Sequence, residues 1–312
     1  MGELCDLESG PRMVAVTGKG GVGKTTCSAA TAVHLAETGQ RTLLLSTDRS
    51  PSLSDILETD VFGEITSVDG VDGLDAVEMD YDAIREKWKE TYGEDIYRVF
   101  SSFVSVGEEV IDYVAEAPGI ADEFMLGYIL EYFEGDVYDR IVWDTAPAGG
   151  TIALLEAQER FYDHLGQAPK IYADLRSLAS GDLKKRPATL FEEWRELSAD
   201  CLSMVQGPDT TFVVVTIAEG LGVNETDRII DDLERHDLGV QRVVANKVLE
   251  DVGADDCKHH RERAAMHAEY LEVLEDRYAS EYGVATIPQL PREVKGLEAI
   301  ETVSDHLFES AD

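Results

Sequence analysis

Basic residues are scarce in this sequence. Its 312 residues include 27 Lys and Arg against 63 Asp and Glu, which gives a formal net charge of -36 at pH 7. Constitutive binders of nucleic acid or anionic lipid need patches of Lys and Arg, so the composition argues against both classes of protein. The acids are spread along the whole chain rather than gathered in a tail. A dispersed carboxylate surface resists salting-out, so our hypothesis is a halophilic protein that works in concentrated salt.

Cysteine and long apolar runs are also scarce. The four cysteines, Cys5, Cys27, Cys201 and Cys257, are too few and too far apart for a disulfide framework, so we expect free thiols in a reducing compartment. No apolar run approaches the roughly 20 residues of a spanning helix. The first residues are acidic, unlike a secretory signal. The sequence therefore predicts a cytoplasmic protein with no direct membrane insertion.

Short apolar runs that alternate with helical stretches indicate the fold class. The runs are continuous rather than alternating, as in parallel strands covered on both faces. The predicted strands are Met13–Thr17, Thr42–Ser46, Arg140–Trp143, Thr211–Ile217, Arg242–Ala245 and Val284–Ile287. The predicted helices between and after them are Lys24–Thr38, Asn224–His236, Ala264–Tyr282 and Glu293–Glu309. This alternation predicts an α/β fold with a doubly wound, mostly parallel sheet.

Two mostly helical inserts interrupt the alternation, at about residues 82–134 and 157–206. Neither contains a Pro/Gly/Ser linker long enough to separate an independent domain. A second phosphate-binding motif, which a paired-domain version would need, does not occur in the sequence. We therefore predict one domain over residues 1–312, with a helical subdomain built from the two inserts.

A phosphate-binding loop follows the first predicted strand and leads directly into a helix. The segment Gly18–Thr26 reads GKGGVGKTT and satisfies the pattern G-x-x-x-x-G-K-[ST] in the required context. Glycines let the backbone wrap around a pyrophosphate, and the helix N-terminus adds partial positive charge. Lys24 would reach the β- and γ-phosphates of a nucleotide, and the Thr25 hydroxyl would hold Mg²⁺. The predicted phosphate-binding set is Gly18, Gly20, Gly21, Val22, Gly23, Lys24, Thr25 and Thr26.

Further segments make a family resemblance specific. Together with Lys19, which gives the deviant loop form Gly-Lys-Gly-Gly-x-Gly-Lys-Thr, they resemble the arsenite-pump and tail-anchored-protein targeting ATPase family, in a single-domain, archaeal-like form. This family is a branch of the dimeric deviant P-loop ATPases, and the match runs with gaps from Met13 to Leu307. The segments that carry it are Ser46–Asp55, Asp144–Thr151, Ala218-Glu219, Glu225–Arg228 and Val244–Lys247.

The resemblance implies a role for each matching residue. Asp48 would orient or deprotonate the attacking water, and Asp144 would hold Mg²⁺ through water. Asn246 would hydrogen-bond the adenine of ATP, with Pro288 near the base. Lys19 would reach across the dimer interface to the partner's nucleotide, the alternative being a solvated loop lysine. The catalytic set is then Asp48, Lys19 and Lys24. Both aspartates follow predicted strands, where α/β sheets bind ligands, although an Asp there can also cap a helix.

The sequence departs from the family pattern in both switch segments. The first switch of the family usually reads Asp-Pro-Ala-His, and here Arg49, Ser50 and Pro51 replace the last three residues. In the second switch Gly150 stands where a His is common. The catalytic Asp48 is retained, but coupling through the switch histidines cannot be carried over to this chain.

A candidate zinc site lies late in the sequence. Targeting ATPases of the family carry Cys-x-x-Cys where this chain has Cys257-Lys258-His259-His260, and two subunits together bind one zinc ion there. Cys257 and His260 from two chains would make a Cys₂His₂ set, which suits Zn²⁺. The alternative is a solvated helix start with incidental histidines. The implied cofactors are ATP and Mg²⁺, with Zn²⁺ as a candidate.

Four functions are compatible with this fold to different degrees. The sequence favours a Mg-dependent dimeric ATPase that targets tail-anchored membrane proteins, with client transmembrane segments and a membrane receptor as partners. The alternative is the catalytic subunit of an arsenite extrusion pump, which needs clustered thiols and usually has two fused halves. A partition or division-site ATPase needs a basic face or an amphipathic membrane helix. An iron–sulfur reductase needs paired cysteines near the nucleotide loops, and the sequence has none there.

The first insert supplies apolar residues that could form a client-binding groove in an open dimer. With only six Met in the chain, these residues are also compatible with an ordinary helical core. They are Phe100, Phe103, Val104, Val106, Val110, Ile111, Val114, Phe124, Met125, Leu126, Ile129, Leu130 and Phe133.

Overall fold

The computed structural model describes residues 10–50, 52–101, 107–116, 120–160, 162–163, 187–250, 253 and 257–308. Cys5, Pro51, Phe103, Val104, Val106, Glu309 and residues 164–186 of the second insert lie outside them.

One sheet of eight strands organises the described part of the chain. Its strand order is β3-β4-β2-β5-β1-β6-β7-β8, and all neighbouring strands are parallel except the β3–β4 pair. This arrangement confirms the predicted doubly wound α/β fold. The strands are β1 (Met13–Gly18), β2 (Thr42–Ser46), β3 (Thr66–Ser67), β4 (Leu74–Glu78), β5 (Arg140–Asp144), β6 (Thr210–Ile217), β7 (Val240–Val248) and β8 (Val284–Pro288).

The prediction found six of these strands and missed β3 and β4. The sequence of β4 places two acids, Asp75 and Glu78, within five residues, so the run lacks an apolar signature. In the structure Glu78 is buried, and its carboxylate accepts hydrogen bonds from the Leu53 amide and the Ser54 hydroxyl, both at 2.6 Å. The hydroxyl of Tyr138 donates to Asp75 at 2.9 Å. These partners lie more than 20 residues away, so the local pattern could not reveal them.

Ten helices accompany the strands in the described residues. They are α1 (Lys24–Glu37), α2 (Leu53–Leu57), α3 (Tyr81–Ser101), α4 (Glu109–Ala115), α5 (Ile120–Glu134), α6 (residues 148–160), α7 (Pro187–Gln206), α8 (Gly220–Arg235), α9 (Lys258–Tyr278) and α10 (Leu297–Phe308). The short helix α2 was not predicted. None of the helices in these ranges is both long and apolar enough to cross a membrane.

Four predicted helix boundaries were wrong by four to six residues. Helix α8 begins at Gly220 rather than Asn224, and α9 begins at Lys258 rather than Ala264 and ends at Tyr278 rather than Tyr282. Helix α10 begins at Leu297 because Gly296 adopts a left-handed φ of 75°, which interrupts any helix that would include residues 293–296. The non-helical segment before α10 lines the site described below.

The main apolar core lies against the sheet around α1. Most of that helix is buried, because Ala, Val and Leu occupy six of the ten positions after its first turn and the small side chains of Ser28 and Thr31 are buried with them. Helix α10 packs beside it, with the His34 ring stacked on Phe308 at a centroid distance of 3.8 Å. Because so much of α1 is buried, its position against the sheet is fixed, and so is the start of the helix where the preceding loop ends.

The chain divides into two compact units. The first comprises Met1–Met79, Gly135–Ile152 and Val205–Asp312 and holds the sheet. The second comprises Asp80–Glu134 and Ala153–Met204, close to the two predicted helical inserts. Within the second unit Trp88, Tyr92, Phe124 and Trp194 form an aromatic cluster with centroid distances of 5.0 to 6.3 Å. A single P-loop domain with a helical subdomain stays a prediction.

Five of the ten described apolar residues proposed for a client groove are buried. Met125, Leu126 and Ile129 are at most 1% exposed, and Val110 and Leu130 are below 9%. Phe100, by contrast, is 37% exposed. This burial favours the ordinary-core alternative for these five residues.

Candidate active site

The loop Gly18–Thr26 connects β1 to α1 at the carboxyl end of the sheet. Gly18, Gly21 and Gly23 have φ values of 151°, 81° and 100°. A Cβ on Gly18 would lie 2.2 Å from the Val215 carbonyl oxygen of β6, and one on Gly23 would lie 2.2 Å from Nδ2 of Asn246. Gly18 and Gly23 are therefore required because residues of β6 and β7 approach them closely. Gly21 is required because of its positive φ.

We expect Gly23→Ala to lower ATP affinity by at least about tenfold and to destabilise the fold by about 1–3 kcal/mol. The alanine would be strained at a φ of 100°, and its methyl group would collide with the buried Asn246 amide. Urea unfolding and equilibrium nucleotide binding measure the two effects. Gly20→Ala is the matched control, because a Cβ on Gly20 has no neighbour within 4 Å. Equal behaviour of the two variants would contradict the expected steric effect.

A buried carboxylate lies directly below the loop. Asp144 ends β5 between β1 and β2, paired in register with Val16 and Ser46, and it is fully buried. Its carboxylate accepts hydrogen bonds from the hydroxyls of Thr25 at 2.9 Å, Ser28 at 3.1 Å and Ser46 at 3.1 Å. Burial raises the pKa of Asp144 to about 6, although the hydroxyls and the ammonium of Lys24 act in the opposite direction.

The segment after β2 is anchored at both ends. At its start, Nε1 of Trp143 donates to the buried hydroxyl of Thr47 at 2.9 Å. At its end, Glu78 accepts the Leu53 amide, which fixes the first turn of α2. Between these anchors Asp48 is half-buried, and its carboxylate accepts the Ser50 amide at 3.0 Å. The segment therefore presents Asp48 beside the phosphate loop.

The wall opposite this segment comes from β7 and β8. The side-chain amide of Asn246 donates to the carbonyl of Val22 at 2.8 Å, and its oxygen accepts the amide of Lys247 at 2.8 Å. Lys247 in turn donates from Nζ to the carbonyl of Gly21 at 2.9 Å. Pro288 ends β8 and is half-buried. This wall contacts the loop itself as well as the space beside it.

A cleft of about 1110 Å³ joins these parts, a volume slightly above the roughly 300–1,000 Å³ of typical small-molecule sites. It brings together most of the predicted site residues, which are Gly20, Gly21, Gly23, Lys24, Thr25, Thr26, Asp48, Asn246 and Pro288. Asp144, Gly18 and Val22 support the cleft without lining it. Lys24 is 6% exposed, so its ammonium is held in the wall of the cleft.

Lys19 lies outside the cleft. Its ammonium pairs with the Glu225 carboxylate of α8 at 2.9 Å, with the lysine side chain 45% exposed. The lysine is therefore held against its own chain in this structure. Glu225 was part of the family resemblance, but no local pattern indicated that the two side chains meet.

The sequence did not identify several residues that complete the site. Ser28 could have been found, since it stands three residues after Thr25 on the same face of α1. Ser46 could have been found only from the strand register that sets it beside Asp144. Glu78 and Lys247 have no local signal, because their contacts are with residues far away along the chain.

Cys257 and His260 lie together at the start of α9, outside the nucleotide cleft. Sγ of Cys257 and Nδ1 of His260 are 3.4 Å apart, and both residues are exposed. No group of three or more Cys, His, Asp or Glu that could hold a metal occurs in the described part of the single chain. A metal site with more than these two protein ligands would need ligands from outside the described residues of this chain.

Comparison with known proteins points to one family. The model of the anion-transporting ATPase family matches residues 11–309. The chain is 32% identical over 311 residues to ATPase get3 of Aspergillus niger, covering 95% of this chain and 90% of the relative. It is 30% identical over 302 residues to ATPase GET3 of Mycosarcoma maydis, covering 94% of this chain and 89% of the relative. The similarity therefore extends over the sheet, the loop and both inserts.

Proposed function

The chain belongs to the anion-transporting ATPase family and is an ATPase, and from that premise we propose that it is a Mg-dependent, dimeric targeting factor for tail-anchored membrane proteins. The observation that carries the ATPase mechanism is the cleft in which Lys24, Thr25 and Asp48 converge above the buried Asp144. The proposal includes a single P-loop domain with a helical subdomain, acting in the cytoplasm and without binding nucleic acid.

The residues of the cleft suggest how ATP is bound. The loop amides and the ammonium of Lys24 would hold the β- and γ-phosphates, and Asn246 and Pro288 would contact the adenine. Gly18, Gly20, Gly21, Val22, Gly23 and Thr26 would complete the phosphate cradle. The large net negative charge does not oppose this, because the cradle consists of backbone N–H groups and lysine.

The donor set beside the loop fits Mg²⁺. Hydroxyl and carboxylate oxygens of Thr25 and Asp144 are the hard ligands that this cation prefers, and they already lie 2.9 Å apart. Bound Mg²⁺ would neutralise charge that develops on the phosphate oxygens. A cation nearby would also favour the ionised form of the buried Asp144, which burial otherwise disfavours.

Hydrolysis would begin with Asp48 as general base. Its carboxylate would orient a water molecule and accept a proton from it as the water oxygen bonds to the γ-phosphorus. The bond from the γ-phosphorus to the bridging oxygen then breaks, and ADP and phosphate are released. Lys24 would stabilise the charge on the departing groups.

We expect Lys24→Met to lower kcat/KM for ATP by at least about 100-fold, because it removes the one buried ammonium that lines the described cleft. Steady-state phosphate release measures the effect. Arg235→Met is the matched control, since it removes an exposed cation at the end of α8 that is paired only with Asp232 in the described residues. Undiminished turnover in Lys24→Met would refute the proposed site.

The targeting function is supported over the arsenite pump by two features of the chain. Its four cysteines are scattered, and its similarity to ATPase GET3 proteins is nearly full-length. A nucleotide-trapped Asp48→Asn variant, purified from high-salt lysate, is expected to retain proteins with one C-terminal transmembrane segment and a membrane receptor. Arsenite-stimulated ATPase activity without such clients would favour the pump instead.

In the proposed dimer Lys19 would leave Glu225 and reach the partner's nucleotide. We expect a non-hydrolysable ATP analogue to convert the chain to a homodimer, with Lys19→Met weakening that conversion. Light scattering after size-exclusion chromatography measures the mass. A mass of one chain with the analogue bound would exclude this role.

We further propose that Cys257 and His260 of two chains bind one zinc ion at the dimer interface. Their 3.4 Å separation is close to the roughly 3.5 Å that tetrahedral Zn–S and Zn–N bonds of usual length would impose. Metal analysis of the purified dimer should give one zinc per two chains, lost in Cys257→Ser. A metal-free wild-type dimer would contradict the proposal.

The acidic composition supports a protein adapted to concentrated salt. At about 1 M salt the Debye length is about 3 Å, so repulsion among the carboxylates would be largely screened. Circular dichroism after dialysis into low salt should show loss of structure. A fully folded protein there would refute the halophilic hypothesis.

A further inference from the structure

Lys247 has an unusual backbone for its place in the fold. Three non-glycine residues in the described chain have positive φ, and two of them, Glu58 and Asp237, follow the ends of helices. Left-handed residues are common at helix ends. Lys247 instead lies within β7 with a φ of 59°, where the pairing of β7 with β8 shifts register between Ala245 and Val248. A lysine in this conformation is strained, which calls for a compensating contact.

That contact is with the phosphate loop. The Lys247 side chain is otherwise exposed, but Nζ donates to the Gly21 carbonyl at 2.9 Å across 226 positions of sequence. The neighbouring Asn246 donates to the Val22 carbonyl at 2.8 Å. The Lys247 amide donates to the Asn246 side-chain oxygen, so the left-handed turn also fixes the orientation of that amide. Two adjacent β7 residues thus bind two consecutive carbonyls of the loop.

Because of peptide geometry, these two hydrogen bonds also set the direction of two N–H groups of the loop. In a planar trans peptide the C=O and the following N–H point in opposite directions. A bond to the Gly21 carbonyl therefore fixes the direction of the Val22 N–H, and a bond to the Val22 carbonyl fixes that of the Gly23 N–H. Within the described part of the chain, neither N–H donates to a backbone carbonyl. Both amides are free to bind an anion.

We propose that Lys247 is a positioning residue for diphosphate binding: by holding the Gly21 carbonyl, it keeps the loop amides in their anion-binding orientation before nucleotide arrives. This inference rests on the proposed nucleotide site and adds a third lysine to it. Because Lys247 acts through the loop, its contribution concerns the β- and γ-phosphates rather than the base or the α-phosphate.

The test compares ligands that differ in phosphate number. Lys247→Met keeps the side-chain length without the ammonium, and it should raise the Kd for ATP and ADP about tenfold, the scale of one hydrogen bond from a charged donor. The Kd for AMP should change less than about twofold, and kcat should stay within about threefold. Lys247→Arg, which can still donate to the carbonyl, should restore most of the ADP affinity. Isothermal titration and steady-state kinetics give these values.

Two further variants separate the ammonium from strain and from general charge. Lys247→Gly adopts a positive φ without strain and should lose ADP affinity as Lys247→Met does, whereas wild-type affinity in Lys247→Gly would overturn the proposal. Arg235→Met should leave ADP binding unchanged, and a loss equal to that of Lys247→Met would also overturn it.

Failure of the inference and failure of the proposed function give different results. If wild-type protein does not bind ADP, the proposed nucleotide site itself is wrong and the inference is overturned with it. If wild-type protein binds ADP but Lys247→Met binds it equally well, only the inference is overturned. An equal loss for AMP and ADP would also overturn it, because a general disturbance of the cleft would then explain the result.

Discussion

Asp48→Asn is expected to lower kcat for ATP hydrolysis by about 10²–10⁴-fold, the range contributed by a positioned general base. Asparagine has nearly the same shape, and its side-chain oxygen can still accept the Ser50 amide, which lies 3.0 Å from the native carboxylate. Only the capacity to take a proton from water is lost. The affinity for ATP should therefore stay within about threefold, since the phosphates would be held by the loop and Lys24.

Single-turnover hydrolysis and equilibrium binding of ATP separate these two effects. Asp60→Asn is the matched control, because it removes an exposed carboxylate that accepts a local amide of Phe62 in the same way. We expect wild-type turnover in that control. A kcat within threefold of wild type for Asp48→Asn would exclude Asp48 as the base, and a large loss of ATP affinity would indicate a binding role instead.

Asp144→Asn should have two opposite consequences, one for activity and one for stability. Turnover should fall about 10²–10³-fold, because the charge proposed to hold Mg²⁺ is removed. The nucleotide-free protein should nevertheless become more stable at pH 7.5. A fully buried carboxylate has lost its hydration, and three hydroxyls and one ammonium compensate only in part.

The pH dependence of that stability gain follows from the pKa of Asp144. Burial raises the pKa from 3.8 to about 6 in the folded state, so between these values the folded protein binds more protons than the unfolded chain. The contribution of this group to unfolding free energy therefore falls as pH rises from about 4 to about 6, and stays low above. Asparagine has no such titration. The variant should gain on the order of 2–3 kcal/mol at pH 7.5 and little near pH 4.

Urea unfolding of wild type and Asp144→Asn across this pH range tests the expectation. In the difference between their free energies of unfolding, the titration of the many other acids cancels. Asp75→Asn is the matched control, because it removes a half-buried carboxylate from β4, two strands away in the same sheet. The control should show no gain that disappears on acidification. A destabilised Asp144→Asn at pH 7.5 would mean that the hydroxyl and lysine contacts outweigh the cost of burial.

Much of the fold could be predicted because its signals are local. The six predicted strands are short apolar runs, and the loop and the start of α1 follow one of them with a fixed pattern of glycine and lysine. Strands β3 and β4, the last two at one side of the sheet, could not be predicted in this way. Glu78 is tolerated in β4 because Leu53 and Ser54 supply its hydrogen bonds, and nothing within five residues of Glu78 indicates such partners.

The residues of the candidate site also divide into those with a local signal in the sequence and those without one. Lys24 and Thr25 could be named from the loop pattern, and Asp48 from the family resemblance together with its place after a strand. Asn246 could be named only through the family resemblance. Its contact with Val22, and the adjacent contact of Lys247 with Gly21, join positions more than 220 residues apart.

The sequence by itself determined the type of sheet, the anion-binding loop and the family, because apolar runs, glycine spacing and strand–loop–helix order are properties of neighbouring residues. Only the tertiary structure decided which side chains surround Asp144, which carbonyls Lys247 holds and that Lys19 pairs with Glu225. Those contacts depend on strand order and register, which bring distant segments to one edge of the sheet. The site therefore combines residues that the sequence identifies with contacts that only the tertiary structure reveals.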